Sequence, residues 1–356
     1  MPSTKKLHEV KGPELQEELT RLRAENISLA AQNDEIEKQV NKLLKTEYRF
    51  ADIVSRATAV IPPRDPYAEW KPKKAAKSNT VIGMVAKISD WQIGEVINPK
   101  ETEGFGAYNY AIAEQRVFAL VDHLITQVTM YREGGFDIPQ LDIFSEADLV
   151  SGNIHEELTI TNEWPLPIAV AKAAELFAEM VRRLSTNFKT IRVWQMSADN
   201  HGRLTHKNQS KQGALNNYSR LVHEFANALL RQLIESGKVS VEVGEGTKLL
   251  ADVVGQKFLI SHGHGILSSL GIPYYGLSRS KAREAVKRMN TDKTFDYISI
   301  GHYHVPGVIE GNILVNGSLP GTTEFDHLCG RNSPPQQVSF LVHPRHGLFG
   351  WTPWRL

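Results

Sequence analysis

Hydrophobic residues recur every seven positions over the first part of the chain. One row holds Leu15, Leu22, Leu29, Ile36 and Leu43, and the companion row holds Leu19, Asn26, Asn33 and Val40. Two such rows are typical of a coiled coil and predict one helix over residues 13–46. Asparagine in the core of a coiled coil favours a parallel, two-stranded register. We therefore expect a parallel dimer through residues 13–46, although a different partner or packing on the same chain fits the rows as well.

A proline- and lysine-rich stretch follows this helix. Residues 61–79 hold four prolines, which prevent a continuous helix. Their lysines stand near Trp70 and could contact a phosphate backbone, but a solvated linker explains the same composition. The pattern predicts an oligomerisation helix over residues 1–60, a linker over residues 61–79 and a catalytic domain over residues 80–356.

From residue 80 onward, β-prone apolar runs alternate with amphipathic segments. Strands are predicted at residues 80–88, 141–144, 190–196, 257–261, 297–300, 312–318, 338–342 and 348–351. Helices are predicted at residues 110–131, 166–184, 212–235 and 278–289. Strands that alternate with helices indicate an α/β domain. The predicted fold is α/β, with a two-sheet β-sandwich flanked by helices and preceded by the long coiled-coil helix.

Composition and charge exclude several classes of protein. The chain has 356 residues, is 41% hydrophobic and carries a formal net charge of +1, so its total charge does not indicate nucleic acid or membrane. The single Cys329 excludes an internal disulfide framework and a cysteine-rich zinc site. There is neither a signal-peptide-like start nor an apolar run that could span a bilayer, so we expect a cytoplasmic protein.

Carboxylates follow the first two predicted strands of the catalytic domain. Asp90 comes just after the first strand, with Gln92 two residues further on. Asp148 follows the second strand, and Asp142 and Glu146 are rivals for the same role. Carboxylate and amide oxygens are hard metal ligands, and open α/β sheets bind ligands at the carboxyl ends of their strands. Each residue alone fits a strand-ending turn equally well.

The later strands end in histidines and other polar residues. Asn200, His201 and Arg203 follow the third strand, and His262 follows the fourth. The chain then leaves a further strand at Gly301, after which come His302 and His304. Neutral imidazole is the commonest metal ligand, an unligated histidine can act as a general acid, and a guanidinium can hold phosphate. Together these strand ends predict a metal centre.

This ordered set of strand ends resembles the calcineurin-like metallophosphoesterase superfamily. The pattern of that family is Asp-x-His, Gly-Asp, Gly-Asn-His, a further His and Gly-His-x-His, and the similarity runs over about residues 80–343. The segments that match this pattern most closely are Gly301-His302-Tyr303-His304 and the Asn-His-Gly-Arg run at residues 200–203. The latter run is similar to that of viral and phage-encoded members. The resemblance implies a protein of a bacterial or phage-infected cell.

The resemblance also implies two divalent metal ions, with Mn²⁺ expected first and Mg²⁺, Zn²⁺, Ni²⁺ or Fe as alternatives. By this resemblance Asp148 would bridge the ions. One site would be completed by Asp90, Gln92 and His304, and the other by Asn200, His262 and His302. His201 would stand beside the substrate as a catalytic residue, and we add Arg203 as a phosphate clamp.

Three positions depart from the family pattern. Gln92 stands where the family usually has histidine, and Ala147 and Asp199 stand where it has glycine. A neutral amide oxygen is a weaker donor than imidazole. The departures predict a weaker first metal site.

The expected function is hydrolysis of a phosphodiester, with nucleic acid, DNA first, as the substrate. The basic segments at residues 71–77 and 279–288 favour this choice. So does the expected dimer, which could place two sites on one duplex. One alternative is a small nucleotide or phosphate ester as the substrate. The other is a coiled-coil interaction scaffold whose metal site is inactive.

Overall fold

The computed structural model describes residues 12–59, 80–205, 211–266 and 273–356. The chain divides into two compact units, Met1–Lys73 and Lys74–Leu356. The predicted linker and its lysines lie outside the described residues. In the described part of the chain, no helix has the length and apolar character needed to cross a membrane.

The first unit contains one long helix, α1, which covers Gly12–Ala59 and so extends beyond the predicted residues 13–46. Both heptad rows lie on this helix, and their apolar members are exposed in the single chain. Leu22, for example, is 45% exposed and Ile36 is 58% exposed. The long helix is therefore confirmed, whereas its pairing into a coiled coil stays a prediction.

The second unit alternates strands and helices. In chain order its elements are β1 (Gly83–Ile88), α2 (Tyr110–Glu133), β2 (Gln140–Ser145), α3 (Leu158–Thr161), α4 (Leu166–Ser185), β3 (Thr190–Gln195), α5 (Tyr218–Leu229), α6 (Arg231–Glu235), β4 (Val239–Val243), β5 (Leu249–Val253), β6 (Gln256–Ser261), α7 (Tyr274–Arg288), β7 (Tyr297–Ile300), β8 (Gly307–Ile309), β9 (Ile313–Val315), α8 (Glu324–Leu328), β10 (Gln336–His343) and β11 (Gly347–Arg355).

These strands form two mixed sheets. The first has the order β11-β10-β1-β2-β3-β4, in which β1 to β4 are parallel and β10 and β11 are antiparallel additions. The second has the order β5-β6-β7-β9-β8, with β6, β7 and β9 parallel. In each sheet, parallel strands direct their carboxyl ends to one edge. The predicted mixed α/β fold with two sheets and helices is confirmed.

The two sheets face each other across an apolar layer that both supply. Val85, Phe144 and Phe340 come from the first sheet, and Phe258 and Ile260 come from the second. The rings of Phe144 and Phe258 meet edge to face with centroids 5.4 Å apart. Because alternate residues of a strand point to opposite faces, the neighbours of Val85 on β1 instead join the core beneath the helices.

Helices cover the outer face of each sheet. Buried residues of α2, α4 and α5 pack on the first sheet, and Leu277 of α7 packs on the second. Asn109 caps α2 by accepting a hydrogen bond from the Ile112 backbone N–H at 3.0 Å. The candidate site lies in the loops at the carboxyl ends of these strands.

The observed elements differ from the predicted ones in several places. The predicted helix over residues 212–235 is two helices, α5 and α6, and starts only at Tyr218. Strands β4, β5 and β8 and the short helices α3 and α8 were not predicted. The elements α3, β8 and α8 have only three to five residues, whereas β4 alternates apolar and polar residues as a half-buried strand does. The final strand includes Pro353, which edge strand β11 tolerates.

Candidate metal centre

The loops after β1, β2, β6 and β7 are joined by backbone hydrogen bonds. The Asp90 N–H donates to the Ala147 carbonyl at 3.1 Å, and the Gln92 N–H donates to the Asp148 carbonyl at 3.0 Å. In the second sheet, the Gly301 N–H donates to the carbonyl of His262 at 3.1 Å. These bonds bring the candidate ligands together although their positions in the sequence are far apart.

Most of the candidate ligands occupy the left-handed backbone region. Positive φ angles between 47° and 70° are found at Asp90, Gln92, Asp148, His302 and His304. Such conformations cost roughly 1–3 kcal/mol for residues other than glycine and concentrate at functional sites. The backbone strain at five predicted ligands therefore supports a functional role for this edge.

Two glycines let the loops approach each other closely. A Cβ atom on Gly301 would lie 2.5 Å from Oδ2 of Asp90. On Gly152, which also has a positive φ of 71°, it would lie 1.9 Å from the carbonyl oxygen of His201. A side chain at either position would push a candidate catalytic group out of place.

A group of hydrogen-bond acceptors converges beside His262. Nδ1 of His262 lies 2.9 Å from the carbonyl oxygen of Glu146, which can only accept, so Nδ1 carries a proton. The other ring nitrogen, Nε2, faces Oδ2 of Asp148 at 2.8 Å and Oδ1 of Asn200 at 3.0 Å. A neutral His262 would thus aim its lone pair at two further acceptors.

This arrangement requires a cation. Oδ2 of Asp148 is buried and makes no hydrogen bond of good geometry, although the imidazole of His262 is 2.8 Å away. Burial acts to lower the pKa of His262, but the Asp148 carboxylate raises it to about 10. Burial acts to raise the pKa of Asp148, but the charges of His262 and His201 hold it well below its usual range. Either a second proton on His262 or a metal ion satisfies these acceptors.

His302 completes this part of the centre. Its ligand atom and those of Asp148 and His262 all lie within 4.8 Å of one another. Burial, helped by the charge of His262, lowers the pKa of His302 to about 3, so this imidazole is neutral and able to bind a metal. We call Asp148, Asn200, His262 and His302 the preformed half of the centre.

The other predicted ligands pair with one another. Oδ1 of Asp90 lies 3.3 Å from Nε2 of His304, and both carboxylate oxygens of Asp90 accept from the His302 backbone N–H at 3.0–3.2 Å. Burial acts to raise the pKa of Asp90, but the hydrogen bond and charge of His304 lower it. The Asp90 contact outweighs burial at His304 and raises the pKa of that imidazole.

Gln92 contacts the candidate catalytic histidine. Its amide Nε2 lies 3.4 Å from Nε2 of His201, while Nδ1 of His201 lies 2.7 Å from the carbonyl of Ser151. The Ser151 carbonyl assigns the proton to Nδ1, so Nε2 of His201 accepts from the Gln92 amide. The His201 backbone N–H also donates to Oδ1 of Asp148 at 2.9 Å. We call Asp90, Gln92 and His304 the paired half.

Arg203 is directed towards its own loop. Its guanidinium donates to the carbonyls of Asn200 at 2.7 Å and Thr205 at 2.8 Å. These bonds stabilise the turn that carries Asn200 and His201. The expected role of Arg203 as a phosphate clamp stays a prediction.

Asp199 connects the loops of the centre by hydrogen bonds, a role that sequence analysis did not assign. Its Oδ2 accepts from the Asp148 backbone N–H at 2.8 Å and from the Ser219 hydroxyl at 2.5 Å. Its Oδ1 accepts from the Gly202 N–H and the Asn217 amide. Burial raises the pKa of Asp199 to about 6. The only signal in the sequence was an unusual carboxylate next to Asn200.

The structure separates Asp148 from its two rivals. Asp142 accepts from Nε of Arg192 at 2.7 Å and from the Trp194 indole at 2.8 Å, within the first sheet. The side chain of Glu146 lies between the sheets, where its carboxylate is 3.5 Å from Nζ of the fully buried Lys87. Of these three carboxylates, Asp148 is the one whose oxygens lie beside the imidazoles of His262 and His302.

The donor set fits a divalent transition-metal ion. Two imidazoles, a carboxylate and an amide oxygen converge in the preformed half; the imidazoles suit a borderline ion such as Zn²⁺, and the oxygens suit a harder ion such as Mn²⁺. The Nδ1 proton of His262 is held by a backbone carbonyl, as is usual for metal-bound histidines.

Comparisons with known proteins are sparse. No protein-family profile matches the chain, and no curated protein matches it. Among the solved structures that it resembles is that of a conserved uncharacterized protein from Streptococcus pneumoniae TIGR4, described as a predicted phosphoesterase. The identity is 12% and the TM-score 0.27, over 51% of this chain and 91% of the other. The assignment of the centre therefore rests on its own geometry.

Proposed function

We propose that this protein is a metal-dependent phosphoester hydrolase with a two-ion centre, and that its substrate is a phosphodiester of nucleic acid. The observation that carries the proposal is the convergence of acceptors at His262. Its lone pair meets oxygens of Asp148 and Asn200 at 2.8–3.0 Å, in a buried place that a cation would stabilise.

The two halves would form two ligand sets, with Asp148 of the preformed half shared by both. The preformed half would hold one ion, and the paired half would hold the other. A bound pair of divalent ions lowers the pKa of a bound water and polarises the phosphoryl oxygens. The chain itself contributes by fixing the ligands on short, hydrogen-bonded loops, which keeps their geometry constant during the reaction.

His201 is the candidate proton donor to the leaving oxygen. Its Nδ1–H is held by the Ser151 carbonyl, so its other nitrogen, Nε2, is the one that can exchange a proton. The Gln92 amide next to Nε2 helps to fix the plane of the ring. We propose that His201 first takes up a second proton, at Nε2, from solvent, and that this imidazolium then donates the Nε2 proton to the leaving oxygen as the phosphoester bond breaks.

A basic stripe on α7 supports nucleic acid as the substrate. Arg279, Arg283 and Lys287 are exposed and spaced four residues apart, so they line one face of this helix. Lys281 and Arg288 instead pair with Glu310 and Glu284. A stripe of three exposed cations can follow a phosphate backbone.

The first experiment measures hydrolysis. Metal-stripped protein would be assayed on bis-p-nitrophenyl phosphate and on labelled single- and double-stranded DNA, with Mn²⁺, Mg²⁺, Ni²⁺ or Zn²⁺ added back. We expect turnover that needs metal and is lost in His302→Ala but kept in the matched surface variant His346→Ala. Folded protein without turnover on any substrate would contradict the proposal and favour the scaffold alternative.

A separate experiment tests whether nucleic acid is the substrate. Binding of DNA to the wild type and to Arg283→Gln would be measured as a function of salt. Each lost phosphate contact lowers the slope of log affinity against log salt by about 0.9 for duplex DNA. Arg231→Gln on α6 is the control. If bis-p-nitrophenyl phosphate is cleaved but DNA binding shows no salt slope, a small phosphoester is the better substrate.

We also propose that α1 pairs with a second copy of itself in parallel. Asn26 and Asn33 lie in the same heptad row, and identical asparagines face each other only when two helices run parallel and in register. Sedimentation of the full chain should show a dimer, and Leu22→Glu with Leu29→Glu should give a folded monomer. A wild-type monomer at micromolar concentration would overturn the pairing.

A further inference from the structure

The ligands of the preformed half come from both sheets. Asp148 and Asn200 follow β2 and β3 of the first sheet. His262 and His302 follow β6 and β7 of the second sheet. Because the ligand atoms of Asp148, His262 and His302 lie within 4.8 Å of one another, the centre depends on how the two sheets are placed at this edge. The attraction across the apolar layer has no preferred direction, whereas hydrogen bonds have one and can fix such a placement.

A lysine and a glutamate, both fully buried, lie between the sheets next to this edge. Lys87 is on β1 and Glu146 directly follows β2, so both belong to the first sheet. Alternate residues of a strand share a face, so Lys87 points the same way as Val85, towards the second sheet. The Lys87 Nζ lies 3.5 Å from the Glu146 carboxylate. The layer between the sheets therefore contains an ion pair at its metal-binding edge.

Both side chains make hydrogen bonds to the second sheet. Nζ of Lys87 donates to the Ile300 carbonyl of β7 at 3.1 Å and to the Leu314 carbonyl of β9 at 2.6 Å. The Glu146 carboxylate accepts from the hydroxyl of Ser299, which is also on β7. We call Lys87, Glu146 and Ser299 the inter-sheet link, because their bonds join the strands that carry the ligands of the two sheets.

The backbone continues from this link directly to the ligands. Ile300 is the last residue of β7 and stands two positions before His302. Glu146 stands two positions before Asp148, and its backbone carbonyl lies 2.9 Å from Nδ1 of His262. A shift of Glu146 or of Ile300 would therefore move ligands on both sides of the preformed half.

Stability alone does not explain a buried ion pair at this place. Taking two charges out of water costs about as much free energy as their attraction returns, and apolar residues of similar volume often leave a fold as stable. Here the side chains of Lys87 and Glu146 are fully buried, and Oε2 of Glu146 makes no hydrogen bond. What the charges add is direction, since each fixes its partner groups at a set distance.

We propose that Lys87 and Glu146 are positioning residues of the metal centre, which hold the ligands of the two sheets at metal-binding distance through their bonds to β7 and β9. This inference rests on the proposed function, because it needs a metal ion in the preformed half. The two residues act through His262, His302 and Asp148 and are not ligands themselves.

An apolar variant separates positioning from stability. Lys87→Met, Glu146→Met and Ser299→Ala together replace the inter-sheet link by apolar side chains and leave the net charge unchanged. The melting temperature of this full-length variant without metal should stay within about 5 °C of the wild type. Calorimetric titration should show that its first Mn²⁺ ion binds about ten- to a hundredfold more weakly than in the wild type. If the folded variant binds Mn²⁺ as tightly as the wild type, the inference is wrong while the proposed function stands.

Val342→Ala is the matched control. Val342 belongs to the same apolar layer, but it pairs with Gly83 at the start of β1, at the opposite end from the ligands. The cavity left by this substitution should lower the melting temperature, while Mn²⁺ affinity should equal that of the wild type. An equal loss of Mn²⁺ affinity in Val342→Ala would show that any destabilisation of the layer weakens the centre, and would overturn the specific role of the link.

Ser299→Ala alone is a milder variant that tests the inference even if the apolar variant does not fold. It removes one hydrogen bond between Glu146 and β7. The first Mn²⁺ ion should bind about fivefold more weakly, which corresponds to one hydrogen bond. Unchanged Mn²⁺ affinity in folded Ser299→Ala would overturn the inference. Wild-type protein that binds none of Mn²⁺, Mg²⁺, Ni²⁺ or Zn²⁺ would instead overturn the proposed function, on which the inference rests.

Discussion

The two halves of the candidate centre are built from the same kinds of residues but differ in how these are engaged. In the preformed half, lone pairs of His262, Asp148 and Asn200 point at one another. In the paired half, Asp90 already contacts His304. Each half thus contains a histidine–carboxylate pair, but in the preformed half a third group, the Asn200 oxygen, already faces the same ring nitrogen.

We expect Gln92 to add to this difference. An imidazole at this position would offer a ring nitrogen to a metal, whereas the Gln92 amide contacts Nε2 of His201 instead. The side chain therefore serves the candidate proton donor more directly than the metal. We expect the preformed half to bind its ion first and more tightly.

Among the variants considered, removal of His262 should have the largest effect on metal affinity. His262→Ala deletes the ligand around which the preformed half converges and leaves the buried carboxylate of Asp148 without its partner. Because loss of a supporting residue alone costs about ten- to a hundredfold in metal affinity, loss of this ligand should cost roughly a thousandfold or more. Metal content after dialysis measures the loss.

His346→Ala is the control for this measurement, since His346 is exposed at the hairpin between β10 and β11, remote from the strand ends. If His262→Ala retained one tightly bound ion per folded chain, the preformed half would not be the tighter site.

The pH dependence of stability without metal provides a second test. The Asp148 carboxylate raises the pKa of His262 from its usual 6.5 to about 10, so this ion pair stabilises the fold fully below about pH 6.5. This stabilisation is lost as pH rises through about 10, with a slope of up to about 1.4 kcal/mol per pH unit. Thermal melting of metal-stripped protein between pH 6.5 and 10 should show this decline.

The decline in melting temperature should be smaller in His262→Asn, because this variant has no imidazole to titrate. It should also be smaller with saturating metal, which replaces the proton on Nε2. A melting temperature of the wild type that is flat over the same pH range would contradict the proposed role of the proton.

Asp199→Asn should lower the metal affinity of the preformed half, although Asp199 is not a predicted ligand. The variant keeps the size of the side chain but weakens the acceptors that fix the Asp148 N–H and the Ser219 hydroxyl. We expect metal affinity to fall about ten- to a hundredfold while the fold is retained. Calorimetric titration with Mn²⁺ measures it. Unchanged affinity would show that Asp148 does not depend on this support.

Gln92→His should change metal affinity less, and only that of the paired half. It replaces a weak amide donor by an imidazole, so the second ion should bind about tenfold more tightly while the first is unaffected. Titration with Mn²⁺ should then show two tight ions per chain where the wild type shows one tight and one weak. Two tight ions of equal affinity in the wild type would refute the asymmetry.

Much of the fold could be predicted from local patterns. The apolar runs at β1, β2, β3, β6, β7 and β10, the amphipathic helices α2 and α4 and the long helix α1 were predicted close to their observed positions. Short or half-exposed elements such as β4 and β8 were missed. β8 has only three residues, too few for a periodic signal. β4 does alternate apolar and polar residues, so this strand was within reach of the sequence.

The candidate site was only partly predictable. The residue types at strand ends indicated a metal centre, but they could not distinguish Asp148 from Glu146 or show that Gln92 turns to His201. The role of Asp199 was hidden for the same reason. Its hydrogen-bond partners come from the loop after β2 and from the start of α5, and only folding brings these together.

The sequence by itself determined which chemical groups follow which strands, because strand and turn preferences act over a few neighbouring residues. Tertiary structure decided which of those groups meet. The pairing of β1 with β2 and the packing of the two sheets bring Asp148 to His262 across more than a hundred residues of chain, and place Lys87 beside Glu146 beneath them. Contacts of that range arise from packing and burial, which no local pattern encodes.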